Sequence, residues 1–252
     1  MQYSVCLDAL FQGQVTADML FRLKQLGYDL VEWGGNEQRD IVSYKQMLED
    51  SRLLCYGFSL PEISLVDASC HTQFVEALHQ GLEQSVLMGN NLLFSGVGQS
   101  IDISHESQLE NLVVGLELCL PLLEKFDRIL LIEPRNTRLE NKGYALSRSG
   151  DAAAVLKLVD NPHTRMLFNM YHQQISEGNI LTRLEKYLPY IGHVRAAGVP
   201  KRAELDTGEL SYRRIFSALE GMGYTLNVGL EYFPKRPPFE GLESCMQWRN
   251  MR

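Results

Sequence analysis

Two glutamates end apolar runs where a charge is out of place. Glu133 closes "RILLIEP" and Glu231 closes "TLNVGLEY", and an ionised carboxylate in such a position is costly unless something pairs with it. A pair of carboxylates converging on one site from opposite sides of a fold can serve as general base and general acid. Other polar residues end apolar runs in the same way: Glu32 after "DLV", Asn169 after "MLF" and Arg195 after "GHV". His172 follows one turn beyond Asn169, and Arg202 and Glu209 lie in the loop after "IGHVRAA". An arginine at a strand end brings a fixed cation that can grip a carboxylate with two hydrogen bonds. Each residue also has a plainer reading. A strand-end glutamate serves as a salt-bridge partner, a lone histidine as a structural hydrogen-bonding group, and "KRAELDTGELSYRR" as a solvated loop with a helix N-cap at Ser211. His71, His79, His105, His163 and His193 are read as structural or solvated, since none makes an HxxxH or HxH spacing.

The elements that position these residues are legible as a rhythm. Eight short β-rich runs, "QYSVCLD", "DLVEW", "LCYGFSL", "NNLLFSG", "RILLIEP", "TRMLFNM", "IGHVRAA" and "TLNVGLEY", alternate with amphipathic patterns. These are "TADMLFRLKQLG", "SYKQMLEDSRL", "TQFVEALHQGLEQSVLMG", "SQLENLVVGLELCLPLLEKF", "SGDAAAVLKLV", "ISEGNILTRLEKYL" and "SYRRIFSALEGMG", in which apolar residues recur every three or four positions. The strands are apolar on both faces, as expected where helices cover them outside and side chains fill the inside. Gly27, Gly89 and Gly223 fall where a helix must stop and turn into a strand. Strand then helix, repeated without a low-complexity linker, predicts an α/β fold: a single (β/α)8 TIM barrel over residues 1–252, with its site at the C-terminal ends of the strands.

Composition sets the outer limits. The 252 residues are 45% hydrophobic and 22% charged, enough for a large core. A net charge of −7 without a lysine and arginine stripe argues against a nucleic-acid partner. Neither a signal peptide nor a membrane span is expected, which leaves a cytoplasmic protein with a small-molecule substrate. Five cysteines without a CxxC spacing read as reduced, mostly buried thiols. A homo-oligomer is expected, as is common for barrels of this size.

On these residues the chain resembles the hydroxypyruvate isomerase group of the xylose-isomerase-like TIM barrels. That superfamily also contains ketose 3-epimerases, inositol catabolism enzymes and metal-dependent apurinic endonucleases. "GYDLVE", "LIEP", "YHQQISEGNI", "HVRAAGVPKR", "DTGELSY" and "GLEYFP" stand in the family's order and spacing, the match being strongest from about residue 128 to 234. The resemblance implies that the positions of Glu133, Asn169, Arg195 and Glu231 form a divalent metal site, of Mg, Mn or Zn. It implies further that the two glutamates move the proton and that His172 and Arg202 contact the substrate. The chain departs from the family at Asn169, where an aspartate is expected, and at Arg195, where glutamine or histidine is expected. It also has "AEL" with Ala203 in place of a histidine-containing "HEP".

A charge count follows from these departures. Three family carboxylates and a divalent ion sum to −1; Glu133, Glu231 and Arg195 reach the same −1 without an ion. A divalent cation roughly 5 Å from the guanidinium would meet about 6 to 7 kcal/mol of repulsion at an effective dielectric near 20, and arginine does not escape by deprotonating. The expected site therefore has catalytic Glu133 and Glu231, substrate-binding His172, Arg195, Arg202, Asn169 and Glu32, and no metal or other cofactor. The expected function is isomerisation of a small keto acid or sugar, hydroxypyruvate or a 2-oxo-tetronate, through an enediolate. The alternatives are a silent relative that only binds a sugar acid and, last, a metal-dependent apurinic endonuclease.

Overall fold

The computed structural model describes residues 1–12, 14–34 and 40–250. Each apolar run becomes a strand: β1 Tyr3–Cys6, β2 Leu30–Trp33, β3 Leu54–Ser59, β4 Leu92–Ser95, β5 Ile129–Ile132, β6 Thr164–Asn169, β7 Ile191–Ala196 and β8 Val228–Leu230. Neighbours pair in parallel in chain order, and β8 returns to β1 to close the barrel. The fold is the (β/α)8 barrel that the rhythm predicts.

The helical patterns appear as Ala17–Gln25, Ile41–Ser51, His71–Met88, His105–Phe126, Ser149–Val159, Ile180–Tyr187 and Tyr212–Gly221. Gly27, Gly89 and Gly223 take φ of 91°, 73° and 88°, the left-handed backbone their positions require. Two readings change. "ISEGNILTRLEKYL" is not one helix: its first two residues close the helix Met170–Ser176, and Gly178 and Asn179, both left-handed, separate that helix from Ile180–Tyr187. A further helix, Pro238–Asn250, gives no clear periodic signal, because Pro237 and Pro238 stand at its start and Gly241 interrupts its apolar period. Ser211 does occupy the N-cap of Tyr212–Gly221, but its side chain makes no capping bond.

Two cores result from the alternation of side chains along each strand. Residues facing outward, such as Val31, Leu93, Leu130 and Phe168, pack under helix residues such as Leu20, Leu78 and Leu116. Residues facing inward form a separate cluster of Leu92, Phe94, Leu131 and Leu167 on the barrel axis. Two positions further on, the same inward alternation reaches Glu133, just past the end of β5, and Asn169, the last residue of β6. β4 and β7 are not neighbours, so the contact of Phe94 with His193 and Arg195 crosses the interior: its ring stacks on His193 at 5.7 Å and carries the Arg195 guanidinium 4.4 Å from its centroid. The register shifts between β2 and β3 at Val31/Glu32 and between β6 and β7 at Met166/Leu167, the extra residues being Tyr56 of β3 and Gly192 of β7, and such an insertion re-aims the side chains that follow it.

Gly229 in β8, opposite Arg195 in register, is small for a measurable reason. A Cβ there would overlap a carboxylate oxygen of Glu32 and come within 2.9 Å of His193 Nε2 and 3.0 Å of Arg195 Cγ. Gly229→Ala is therefore expected to cost about 1 to 3 kcal/mol of overpacking, seen as a Tm lowered by roughly 2 to 12 °C. Calorimetry checks it, and an unchanged Tm would mean that the side chains beneath β8 have room to spare.

Candidate active site

Barrel register brings the strand-end polar residues together. Asn169 pairs with Arg195 and Arg195 with Gly229, while Glu231 and Glu133, one residue beyond their strands, hydrogen-bond through their backbone N–H to Ala196 and Ser95. Burial then forces the charges to pair, because Glu133, Asn169 and Arg195 are all buried.

The centre is the Asn169 amide. Its NH2 donates to Glu133 Oε1 at 2.9 Å and to Glu231 Oε2 at 2.8 Å, while its carbonyl accepts from the Tyr171 backbone N–H at 3.2 Å. Bonded to a common nitrogen, the two carboxylate oxygens are separated by no more than the sum of those first two distances. Arg195 lies beneath, giving Nε to Glu32 at 2.8 Å and Nη1 to Glu231 at 2.9 Å. Arg202 comes down from the loop after β7, giving Nη2 to Glu231 at 2.6 Å and Nη1 to Glu140 at 2.8 Å. Its backbone is left-handed at φ 51°, a strained state that persists only where surroundings impose it.

Glu32 stands apart from the other acids. It is 0% exposed and takes Ser4 at 2.5 Å, His193 at 2.7 Å and Arg195, so its carboxylate meets the site through Arg195. His172, also buried, is reached by the Asn136 side chain at 2.8 Å. Glu209 is exposed and bonds Gln174, outside this network. The sequence reading missed Arg135, which gives Nε to Glu133 at 2.8 Å and pairs also with Glu62. A signal existed: Arg135 is two residues past Glu133 in an extended run, hence on the same side. Glu140, bound by Arg202 and by the Tyr171 hydroxyl at 2.7 Å, gave no such sign.

Three carboxylates, the buried Glu32 and Glu133 and the largely buried Glu231, thus meet three guanidiniums, Arg135, Arg195 and Arg202. Glu62 and Glu140, 47% and 32% exposed, lie at the rim, where solvent screens them. The balance sets the proton affinities. Burial pushes Glu32 up, but His193 and Arg195 outweigh it and hold the carboxyl down at about 2. Burial likewise opposes ionisation of Glu231, and Arg202 and Arg195 override it, holding its carboxyl well below the usual range. Glu133 is lowered against burial by Arg135, with Glu231 working the other way. Burial raises the thiols of Cys55, Cys119 and Cys245 to about 12, so these are inert packing groups.

The four positions of the resemblance make a poor metal ligand set. Arg195 has no lone pair and already binds Glu231, Asn169 turns its NH2 rather than its carbonyl toward both carboxylates, and a divalent ion would add charge to a buried set already balanced. Among the described residues no group of three or more His, Cys, Asp or Glu is placed to hold a metal. A cavity of about 520 Å³ opens at the opposite end of the barrel, lined by strand-start residues such as Leu54, Leu92 and Ile129, away from this chemistry. No helix among the described residues is long and apolar enough to cross a membrane.

Comparison with known proteins identifies the family of the barrel. A family model described as a xylose isomerase-like TIM barrel matches residues 20–250. A mouse protein named putative hydroxypyruvate isomerase is 34% identical over 176 residues, covering 66% of this chain and 64% of that protein. A Cupriavidus necator 2-oxo-tetronate isomerase is 41% identical over 113 residues, 45% of this chain and 43% of that protein. The chain therefore spans less than two thirds of the length of either relative. A crystal structure named AP endonuclease, family 2, from Brucella melitensis superposes with a TM-score of 0.89 at 24% identity over 96% of both chains, a likeness of fold.

The buried His172 sets a pH dependence. Burial above all lowers its pKa to about 4, Arg202 adding to the effect and Glu133, Glu231 and Glu140 opposing it. An unfolded histidine takes up its proton near 6.5, so between pH 6.5 and 4 the unfolded chain binds a proton that the native state refuses. Stability should fall by roughly 3 kcal/mol as pH drops through that window. The contribution of Glu32 is present above its ordinary 4.5 and is lost only as pH falls toward about 2. Urea midpoints between pH 7 and 4 read the histidine part; His172→Gln should flatten it, and an equal slope in both proteins would assign the loss elsewhere.

Proposed function

The chain belongs to the xylose isomerase-like TIM barrel family, and from that premise we propose that it isomerises a small 2-keto acid, hydroxypyruvate or a four-carbon 2-oxo acid sugar, without a metal. The observation that carries the reading is the Asn169 NH2 held between Glu133 and Glu231, with Arg195 on the second of them. Two acid–base groups meet at one point, and a fixed cation stands beside them.

In the proposed reaction a carboxylate takes a proton from the hydroxyl-bearing carbon, and the electron pair moves to the neighbouring carbonyl oxygen to give an enediolate. The proton returns to the former carbonyl carbon, and the hydroxyl proton passes between the two oxygens. Glu133, with two donors on its carboxylate against three on Glu231, is the stronger base and takes the proton first. Arg195 stabilises the charge on oxygen without the rearrangement that water would need. Among the described residues, Nη2 of Arg195 and Nη2 of Arg135 make no hydrogen bond, which leaves donors for a substrate carboxylate. A homo-oligomer in the cytoplasm completes the proposal, light scattering being the check on assembly.

One observation favours a second reading, a relative that binds a sugar acid without turning it over: three donors on Glu231 make a weak base. Nothing at the site favours the endonuclease reading, with its acidic chain and lack of a metal-ligand cluster among the described residues.

With hydroxypyruvate as substrate, Glu133→Gln is expected to lower kcat by about 10² to 10⁴, while dialysis against a chelator leaves the wild-type kcat unchanged. Activity lost to the chelator and restored by manganese would contradict the proposal. Binding without exchange of substrate carbon-bound hydrogen in deuterated water would favour the silent relative. Keto acids should raise Tm where neutral ketoses do not, and the reverse order would remove the acid-sugar assignment.

A further inference from the structure

Asn136 is fully buried beside His172, and its amide has only one consistent orientation. The side-chain oxygen accepts the backbone N–H of Leu139 at 3.0 Å and of Glu140 at 3.2 Å. The other end must then be the NH2, and it lies 2.8 Å from Nδ1 of His172. An amide NH2 donates and does not accept, so Nδ1 presents its lone pair. The single proton of a neutral ring is left on Nε2, which makes no hydrogen bond among the described residues. Both other states of the ring, the Nδ1–H tautomer and the imidazolium, would set N–H against N–H in a place closed to water, His172 being 1% exposed.

We infer that Asn136 is a positioning residue that fixes His172 as a neutral imidazole with its proton on Nε2, so that it donates a hydrogen bond to the substrate carbonyl and does not act as a base. The carbonyl contact rests on the function proposed above; the tautomer rests on the geometry alone. The charged groups around the ring explain why such a lock is needed. Glu133 comes from the end of β5, Glu140 from the loop that follows it and Glu231 from the end of β8, and all three draw the ring toward its charged form. Arg202, from the loop after β7, opposes them, and Tyr171 meets the ring edge-on at 5.2 Å. None of these selects between the two nitrogens. Asn136 does, and it holds the proton on the nitrogen left for a ligand. A neutral imidazole donor polarises a carbonyl and then supports the enediolate oxygen without changing its own charge.

The test is a long-range proton–nitrogen correlation spectrum of the full, ¹⁵N-labelled chain at pH 7, with His172 assigned by comparison with His172→Gln. The wild type should show a neutral ring, unprotonated at Nδ1 and protonated at Nε2. Asn136→Asp places a carboxylate against Nδ1 and should move a proton there, giving the imidazolium or the other tautomer. Its kcat should fall roughly 10²-fold, the scale of one lost preorganised donor, with a much smaller change in KM. Asn136→Ala should give a mixture of tautomers and a kcat–pH profile with a new acid limb. An imidazolium or an Nδ1–H ring in the wild type at pH 7 overturns the inference, whatever the variants do. So does a wild-type tautomer retained in Asn136→Asp or Asn136→Ala. The predicted spectrum from a protein that turns over no keto acid would keep the lock and sink the function.

Discussion

A guanidinium buried on the axis of a barrel is tolerable only with carboxylates on more than one side of it, and that constraint on Arg195 organises the site. Nε and Nη1 go to different acids, Glu32 below and Glu231 above, while the face of the group lies on Phe94. Each partner then needs its own. Glu32 takes Ser4 and His193, which leaves space only for glycine at position 229. The second oxygen of Glu231 takes Arg202 and Asn169, and through Asn169 the chain of bonds reaches Glu133 and Arg135. Removing one member of such a set leaves another charge buried and uncompensated, a loss of about 3 to 5 kcal/mol.

The same constraint shapes the chemistry proposed for the site. A metal ion offers charge that can exchange, be chelated and shift its ligands; a paired guanidinium offers a single positive charge whose place is set by the backbone of β7. Asn169 makes that exchange of cation consistent. An aspartate there would be a third acid facing Glu133 and Glu231, whereas an amide NH2 supplies one donor to each and holds them close without an ion. On this proposal the family's architecture, strand ends converging on one mouth, is kept while the source of positive charge is changed.

Much of this was legible in the residues. The eight strands were visible because each is a short run, apolar on both faces and bounded by turn residues. Glu133, Asn169, Arg195 and Glu231 were visible because a charge or amide at the end of such a run has no bland neighbours. The period of two would have added more: His193 and Arg195 share a face of β7, which puts the histidine inside the barrel with its guanidinium. Arg135 follows Glu133 by the same step. Glu140, Glu62 and Asn136 were not legible, because loops bring them in and no periodicity governs where a loop side chain lands. A charge count made on the four strand-end positions left out Arg135 and Arg202, two of the three arginines that meet these carboxylates. The helix Pro238–Asn250 was not legible for a local reason, since Pro237 and Pro238 at its start and Gly241 within it mask an apolar face that Phe239, Leu242 and Met246 do present to the core.

The central claim, that Arg195 and Asn169 stand where a metal would otherwise be held, is tested most directly by calorimetric titration of manganese into the wild type and into the double variant Asn169→Asp, Arg195→Gln. The account predicts no stoichiometric binding to the wild type and a single new site in the double variant, where three carboxylates and a neutral amide face one another with Arg195 gone and only Arg135 and Arg202 left on them. One manganese bound per wild-type chain, lost when Glu133 or Glu231 is replaced, would contradict it.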